Sequence, residues 1–379
     1  MGLNLVLGLW NSPTMMGAYY DRALRKHNKV ITVGPQFGDA QSDFDVNPGQ
    51  PLGAVLNKIA SPIDFYIQFY SKPDYFPPDL HLIDCPKAWY VYDLHLHLDE
   101  IAASCYLFDL IFTYDEITKQ QLIQKGVPRV EVLPFAADPE LYYRKYRPGK
   151  CKYQVGFSGS AWGFEALRGR EALLKKIGEN FDLRVEHRTL TGKAVADFYQ
   201  ECQIVLNHAI KNDINMRVPE ALLSGRPLLT PEVPGLDQMI QPQVHAMTYR
   251  EENILEKISY MLSHPDEMDK MAQAGQAYAL ENLTYEKRAK TLCDFLKIEL
   301  ENYKHGGRVP KNQFLAQAAQ FNYHFFRFPG DALMWLKGQL ARKRGGLYKV
   351  LVLALRVLIL CCLGLQKLKK TKYFQKKQG

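Results

Sequence analysis

Two doubly wound α/β domains followed by a basic helical tail are what this sequence predicts, on three observations. Apolar runs of four to seven residues alternate with amphipathic stretches of ten or more, which is the pattern of a parallel sheet covered by helices. The alternation occurs in two series, separated by a polar, Pro- and Gly-bearing stretch at 138–152. Charge is also segregated: from residue 332 onward there are twelve Lys or Arg and no Asp or Glu, so residues 1–331 carry a net −4 beneath the chain's overall +8. A length of 379 residues suits two domains with real cores plus a remainder. At 47% hydrophobic and 23% charged residues, disordered and collagen-like classes are excluded.

The first series, 1–137, opens with residues 3–9, read as a strand because the segment has no basic leader and runs straight into a Trp-Asn-Ser-Pro turn. A helix over 15–27 and a strand over 30–33 follow, with further strands near 65–69, 89–92, 110–114 and 130–134. The helix over 116–125 starts after Asp115 and is ended by Gly126. Residues 138–152, crowded with Tyr, Arg and Lys, present no obvious apolar face and read as the interdomain linker. The second series, 153–303, begins with a strand at 153–157 and the loop Ser158-Gly159-Ser160. Helices are expected over 165–177, 193–201, 218–223, 251–262, 265–282 and 284–303, and strands over 183–187, 204–207 and 227–230. A helical extension, 304–331, leads to the tail, 332–379.

The densest chemical signal is the run Asn212-Asp213-Ile214-Asn215-Met216-Arg217-Val218-Pro219-Glu220, continuing to Gly225-Arg226-Pro227. It places polar groups and a cation on a loop just before a helix, at the carboxyl edge of a sheet where open α/β folds bind ligands. A helix start and Arg217 suit a diphosphate, and Glu220 could accept both hydrogen bonds of a ribose diol. The plainer alternative is a Glu stabilising its own helix and an Arg on a solvated face.

This run resembles the donor-site helix of GT-B glycosyltransferases, and most closely the CgeB-like, spore-maturation group. The similarity continues through Pro234-Gly235-Leu236, His264-Pro265 and Leu283-Thr284-Tyr285, and upstream through Val155–Ser160 with Arg170. Pro219 departs from the group's usual Phe, in a part of a helix where Pro is tolerated. The resemblance implies two Rossmann-like domains facing across a cleft, with a nucleotide-sugar donor held by the second and an acceptor by the first. It implies that Glu220 binds ribose, that Arg217 and the amides of Ser158, Gly159 and Ser160 face the diphosphate, and that Asn207 and Asn215 lie near the sugar or phosphate. No metal or other cofactor is expected, since dipole and Arg can stabilise the leaving group. Glycan, lipid-linked and protein acceptors all remain open.

In the first domain, Asp93-Leu94-His95-Leu96-His97-Leu98-Asp99 follows the strand at 89–92. On an extended segment Asp93, His95 and His97 would share a side, as candidates for the acceptor base; Asp99 could instead cap the next helix. Asp43-Phe44-Asp45 resembles a metal-binding D-x-D but sits in a Gly/Pro/Asp-rich loop, and seven cysteines without a C-x-x-C pair argue against a zinc site and for a reducing compartment. No G-x-G-x-x-G follows a strand, which speaks against a Rossmann oxidoreductase. A catalytically inactive GT-B-like binding or scaffold protein at a membrane is the competing class.

The tail accounts for the chain's basicity. Residues 350–365 are almost wholly apolar, but as a helix they would span only about 24 Å, short of a roughly 30 Å hydrocarbon core, with Arg356 near the middle. Arg342, Lys349 and Arg356 recur every seven residues along one side, the layout of an in-plane helix on an anionic membrane surface. Basics interleaved with Leu, Val and Ile do not fit a nucleic-acid binder. A cytoplasmic protein peripheral to a membrane is expected, with a single tail-anchor span as the alternative.

Overall fold

The computed structural model describes residues 2–304 apart from 10–14, 36–41, 47–49, 70–75, 78, 81–82, 147–150, 164–166, 188 and 211–212, and without the side chains of His95, Leu96, His97 and Glu100. The expected helical extension from 305 and the tail at 332–379 lie outside the described residues. Among the described residues no helix is long and apolar enough to cross a membrane.

Seven parallel strands form the first sheet in the order β3-β2-β1-β4-β5-β6-β7. They are β1 (Asn4–Gly8), β2 (Lys29–Gly34), β3 (Phe44–Asp45), β4 (Phe65–Gln68), β5 (Lys87–Tyr90), β6 (Leu110–Thr113) and β7 (Val130–Val132). Leu5, Val6 and Leu7 of β1 are all buried, because helices cover both faces of a parallel sheet; the strand therefore reads as a continuous apolar run. The second sheet, also parallel, has the order β12-β11-β10-β8-β9, from β8 (Tyr153–Ser158), β9 (Leu183–Glu186), β10 (Cys202–Leu206), β11 (Leu228–Pro231) and β12 (Met247–Tyr249). Its chain order reverses between β8 and β10, which pair directly, Val155 opposite Ile204. The loops leaving these two strands therefore flank the crevice where such sheets take ligands.

The first-domain helices are α1 (Met16–Arg25), α2 (Gly53–Leu56), α3 (Leu94–Ser104) and α4 (Glu116–Gln124). As the sequence predicts, Asp115 caps α4 by accepting from the Thr118 amide at 2.7 Å, and Gly126 follows with φ +87°, a conformation that favours glycine. The linker holds α5 (Pro139–Tyr142), capped by Asp138 and pinned to α1 where Arg22 donates to Asp138. Tyr142 is buried, so this stretch does carry a packed residue that its composition concealed.

The second domain adds α6 (Arg168–Gly178), α7 (Lys193–Gln200), α8 (Arg217–Leu223), α9 (Leu236–Met239), α10 (Ile254–Ser263), α11 (Pro265–Asn282) and α12 (Tyr285–Lys304). The chain crosses back at Ala137 and Thr284, where the Ala137 amide donates to the Leu283 carbonyl at 2.9 Å. α12 then packs on the first domain: Phe295 meets Phe112 at 5.9 Å, and Lys26 and Arg129 pair with Glu286 and Glu299.

The extended reading of 93–99 is overturned. Asp93 adopts a left-handed conformation, φ 56°, and helix α3 begins at Leu94. The alternating Leu residues hid a helical spacing: Leu94 and Ile101 are buried and Leu98 packs against the same core, at positions i, i+7 and i+4. The alignment of Asp93, His95 and His97 expected of an extended segment therefore does not apply. Asp99 lies within α3 and pairs with Lys125 at 2.8 Å instead of capping the helix.

Candidate functional site

A cavity of about 570 Å³ opens between the two sheets, with Met16, Tyr92 and Asp93 on one wall and Ser158–Ser160, Asn215, Arg217 and Glu220 on the other. Its chemistry begins with the loop after β8. Gly159 has φ +140°, and a Cβ there would overlap the Arg217 guanidinium, so only glycine lets the loop lie against that side chain. The Gly159 amide is spent on the Glu186 carbonyl at 3.0 Å. The loop also offers carbonyls: Ser158 O accepts from Arg217 Nε at 2.9 Å and Ser160 O from Arg170 Nη1 at 2.6 Å. The loop thus orients two guanidiniums.

Asn207 and Asn215 serve the same end. Asn207 is buried at the end of β10; its Oδ1 accepts from Arg217 Nη1 at 2.7 Å and from Asn215 Nδ2 at 3.0 Å, and its Nδ2 donates to Thr230. Asn215 Oδ1 accepts from the Arg217 amide at 3.1 Å. Both residues hold Arg217 in place.

Arg170, in the first turn of α6, is 6% exposed and also donates to the His208 carbonyl at 2.6 Å, leaving Nε buried with no hydrogen-bond partner. Arg217 and Arg170 lie 4.7 and 5.4 Å from the centre of the Phe157 ring, and neither forms an ion pair among the described residues. Burial and the repulsion of Arg217 pull the Arg170 pKa down to about 10, so it remains a cation at neutral pH. His208 is pushed down to about 4, first by burial and then by the two arginines, and adds no charge. Two guanidiniums on one cavity wall, neither in a direct ion pair among the described residues, can hold an anion.

Glu220 stands in the first turn of α8, directly after Pro219, whose missing N–H falls where it costs no helical bond. Burial raises its pKa from 4.5 to about 7, against the lowering effects of a hydrogen bond from Tyr142 and the charge of Arg217. Opposite, Asp93 is exposed on the cavity rim, and Tyr114 reaches from the first domain to hydrogen-bond Asp213 in the loop before α8. His95 and His97 lie on α3, and their side chains are outside the described residues. Asp43 is occupied elsewhere, accepting from Thr32 N at 2.7 Å and pairing with Arg25 at 2.8 Å, and among the described residues no group of His, Cys, Asp or Glu is placed to hold a metal ion. Arg170 as an anion ligand, Asp213, Tyr142 and Tyr199, which hydrogen-bonds Arg217, were not singled out from sequence.

Residues 152–294 match a family model described as glycosyl transferase-like. A glycosyltransferase from Rickettsia africae superposes with a TM-score of 0.59 at 10% identity, covering 79% of this chain and 99% of that one. The sucrose-phosphate synthase of Thermosynechococcus elongatus gives 0.57 at 9% identity, over 78% and 98%. The fold is GT-B. A third GT-B structure, Anabaena HepE in complex with UDP and glucose, gives 0.56 at 12% identity, over 78% and 99%. Curated relatives include the trehalose synthase of Pyrococcus horikoshii, 26% identical over 129 residues, which is 33% of this chain. That alignment spans 31% of the relative, so the chain matches about a third of its length. Within the GT-B frame the matched segment is the second domain, the one that carries Arg170, Arg217 and Glu220.

Proposed function

We propose that this protein is a glycosyltransferase of the CgeB-like group, moving a sugar from a nucleotide-sugar donor to a hydroxyl acceptor. The observation that carries this is the pair of unpaired guanidiniums, Arg170 and Arg217, fixed by carbonyls on a cavity wall beside Glu220. They supply the two positive charges that a leaving nucleoside diphosphate needs, in a setting of low dielectric where they act strongly. For that reason the reaction needs no metal ion. Glu220, an acceptor when ionised, takes the ribose diol. In the transfer, the acceptor oxygen bonds to the anomeric carbon, the bond from that carbon to the diphosphate breaks, and the acceptor's proton leaves to a base. Asp93, exposed on the opposite rim of the cavity, takes that proton in this reading. HepE, crystallised with UDP-glucose, makes uridine donors the first to try.

The experiment is a turnover assay with UDP-glucose and other nucleotide-sugars against glycan and lipid-linked acceptors, in the presence of EDTA. Release of nucleoside diphosphate that depends on acceptor supports the reading, and diphosphate binding without release under any acceptor favours an inactive binding protein. The basic tail holds the enzyme at the cytoplasmic face of an anionic membrane, near such acceptors. Release of full-length protein from membranes by high salt and carbonate, and solubility on deletion of 332–379, are expected; resistance to both washes would make the tail a span.

A further inference from the structure

Glu220 is not held by its own helix alone. Tyr142, on α5 in the linker, hydrogen-bonds its carboxylate, and the Tyr142 hydroxyl lies 3.3 Å from that of Tyr19 on α1 of the first domain. A phenol has one proton. With Tyr142 giving its proton to the ionised carboxylate, Tyr19 must donate to Tyr142, so the chain runs Tyr19 to Tyr142 to Glu220 across the two domains. Tyr142 occupies one of about four lone-pair positions on the carboxylate, leaving enough for two donors from a diol.

We propose that Tyr142 is a positioning residue for the donor site, holding the Glu220 side chain, which lines the same cavity, aimed at the donor, and that Tyr19 extends this hold to the first domain. The inference rests on the donor reading given above. The groups facing Glu220 are Tyr19 on α1, Tyr142 on α5, Tyr199 on α7, Tyr285 on α12 and Arg217 on α8 itself. Burial raises the pKa of each of the four phenols, so among these acids Glu220 is the one that titrates near neutrality. Further out, Arg22 lies over the Tyr19 ring and is paired with Asp138. Donor affinity therefore falls as pH drops through about 7, when the carboxylate takes up a proton and loses acceptor capacity.

The test is calorimetric titration of the full chain with UDP-glucose, whose diphosphate does not titrate near neutrality, from pH 5.5 to 9. Tyr142→Phe removes the hydrogen bond that lowers the Glu220 pKa, so the midpoint of the affinity profile should move up by about one pH unit, with several-fold weaker binding at pH 7 and little change at pH 9. Tyr19→Phe should move it the same way by less. A uniform loss across the range, or no change, overturns the positioning role. Glu220→Gln separates the two claims: it should abolish the pH dependence. If it leaves affinity untouched at every pH, the donor reading itself fails and this inference with it; if it flattens the profile while Tyr142→Phe does not shift it, only the role of Tyr142 falls.

Discussion

Glu220→Gln should stabilise the ligand-free protein above neutral pH and leave it almost unchanged at about pH 4 and below. In the folded chain burial holds the carboxyl's pKa at about 7, whereas an ordinary glutamate in the unfolded chain sits near 4.5. Between those values the folded protein keeps a proton that the unfolded chain has lost, so stability falls as pH rises through the window, and the full cost is present above about 7. The gap, about two and a half pH units, is worth about 3 kcal/mol. Glutamine keeps an oxygen to accept from Tyr142 and carries no charge, so it escapes that cost. Urea melts of both proteins from pH 5 to 9 give the difference directly, and other titrating groups cancel in it. The difference should grow from about 1 kcal/mol at pH 5 to about 3 kcal/mol, or about 6 °C in Tm, above pH 7. A flat difference across the range would show that Glu220 titrates normally and that its burial is not what the geometry implies.

Arg217→Ala should weaken UDP binding about a hundredfold and uridine binding little, since the lost partner is the diphosphate charge; equal losses for both would remove Arg217 from the phosphate site. It should also cost about 1–3 kcal/mol of stability by removing the donor to Ser158 O and one of the two donors to Asn207 Oδ1, measurable in the same melts. Asp93→Asn should lower kcat by at least about a hundredfold while leaving donor affinity within twofold, as a base that acts only on the acceptor requires, and unchanged kcat would take the role from Asp93. Activity should persist in EDTA, and Asp43→Ala should lower stability through loss of its bonds to Thr32 and Arg25 without touching turnover.

The strands and most helices were legible because a parallel sheet buried on both faces must be written as short apolar runs, as Leu5-Val6-Leu7 and Val205-Leu206 are. The anchor of the site was legible too, because Arg217 and Glu220 lie three residues apart on one short helix and carry their spacing in the sequence. What pattern could not show was who turns toward whom. Arg170 sits 47 residues before Arg217, and only the β8–β10 switch point brings both to the Phe157 ring. Tyr142 looked like one more Tyr in a polar linker until α1 and α8 closed around it. Asn207 and Asn215 were expected near the ligand, and the structure adds that both hold Arg217, which no local motif reveals. The period-two alternation after Asp93 misled for a definite reason: with every second residue Leu, the i, i+4, i+7 row of α3 was present as well, and the packing chose the helix.

The central claim is that Arg170 and Arg217 form a diphosphate site for a nucleotide-sugar. Its most direct test is a thermal-shift titration of wild type and the Arg170→Met, Arg217→Ala double variant with a panel of nucleotide-sugars and nucleoside diphosphates. At a hundred times its dissociation constant, a donor should stabilise wild type by about 2.7 kcal/mol and the double variant by almost nothing. Equal stabilisation of both proteins, or no response of wild type to any member of the panel, would contradict it.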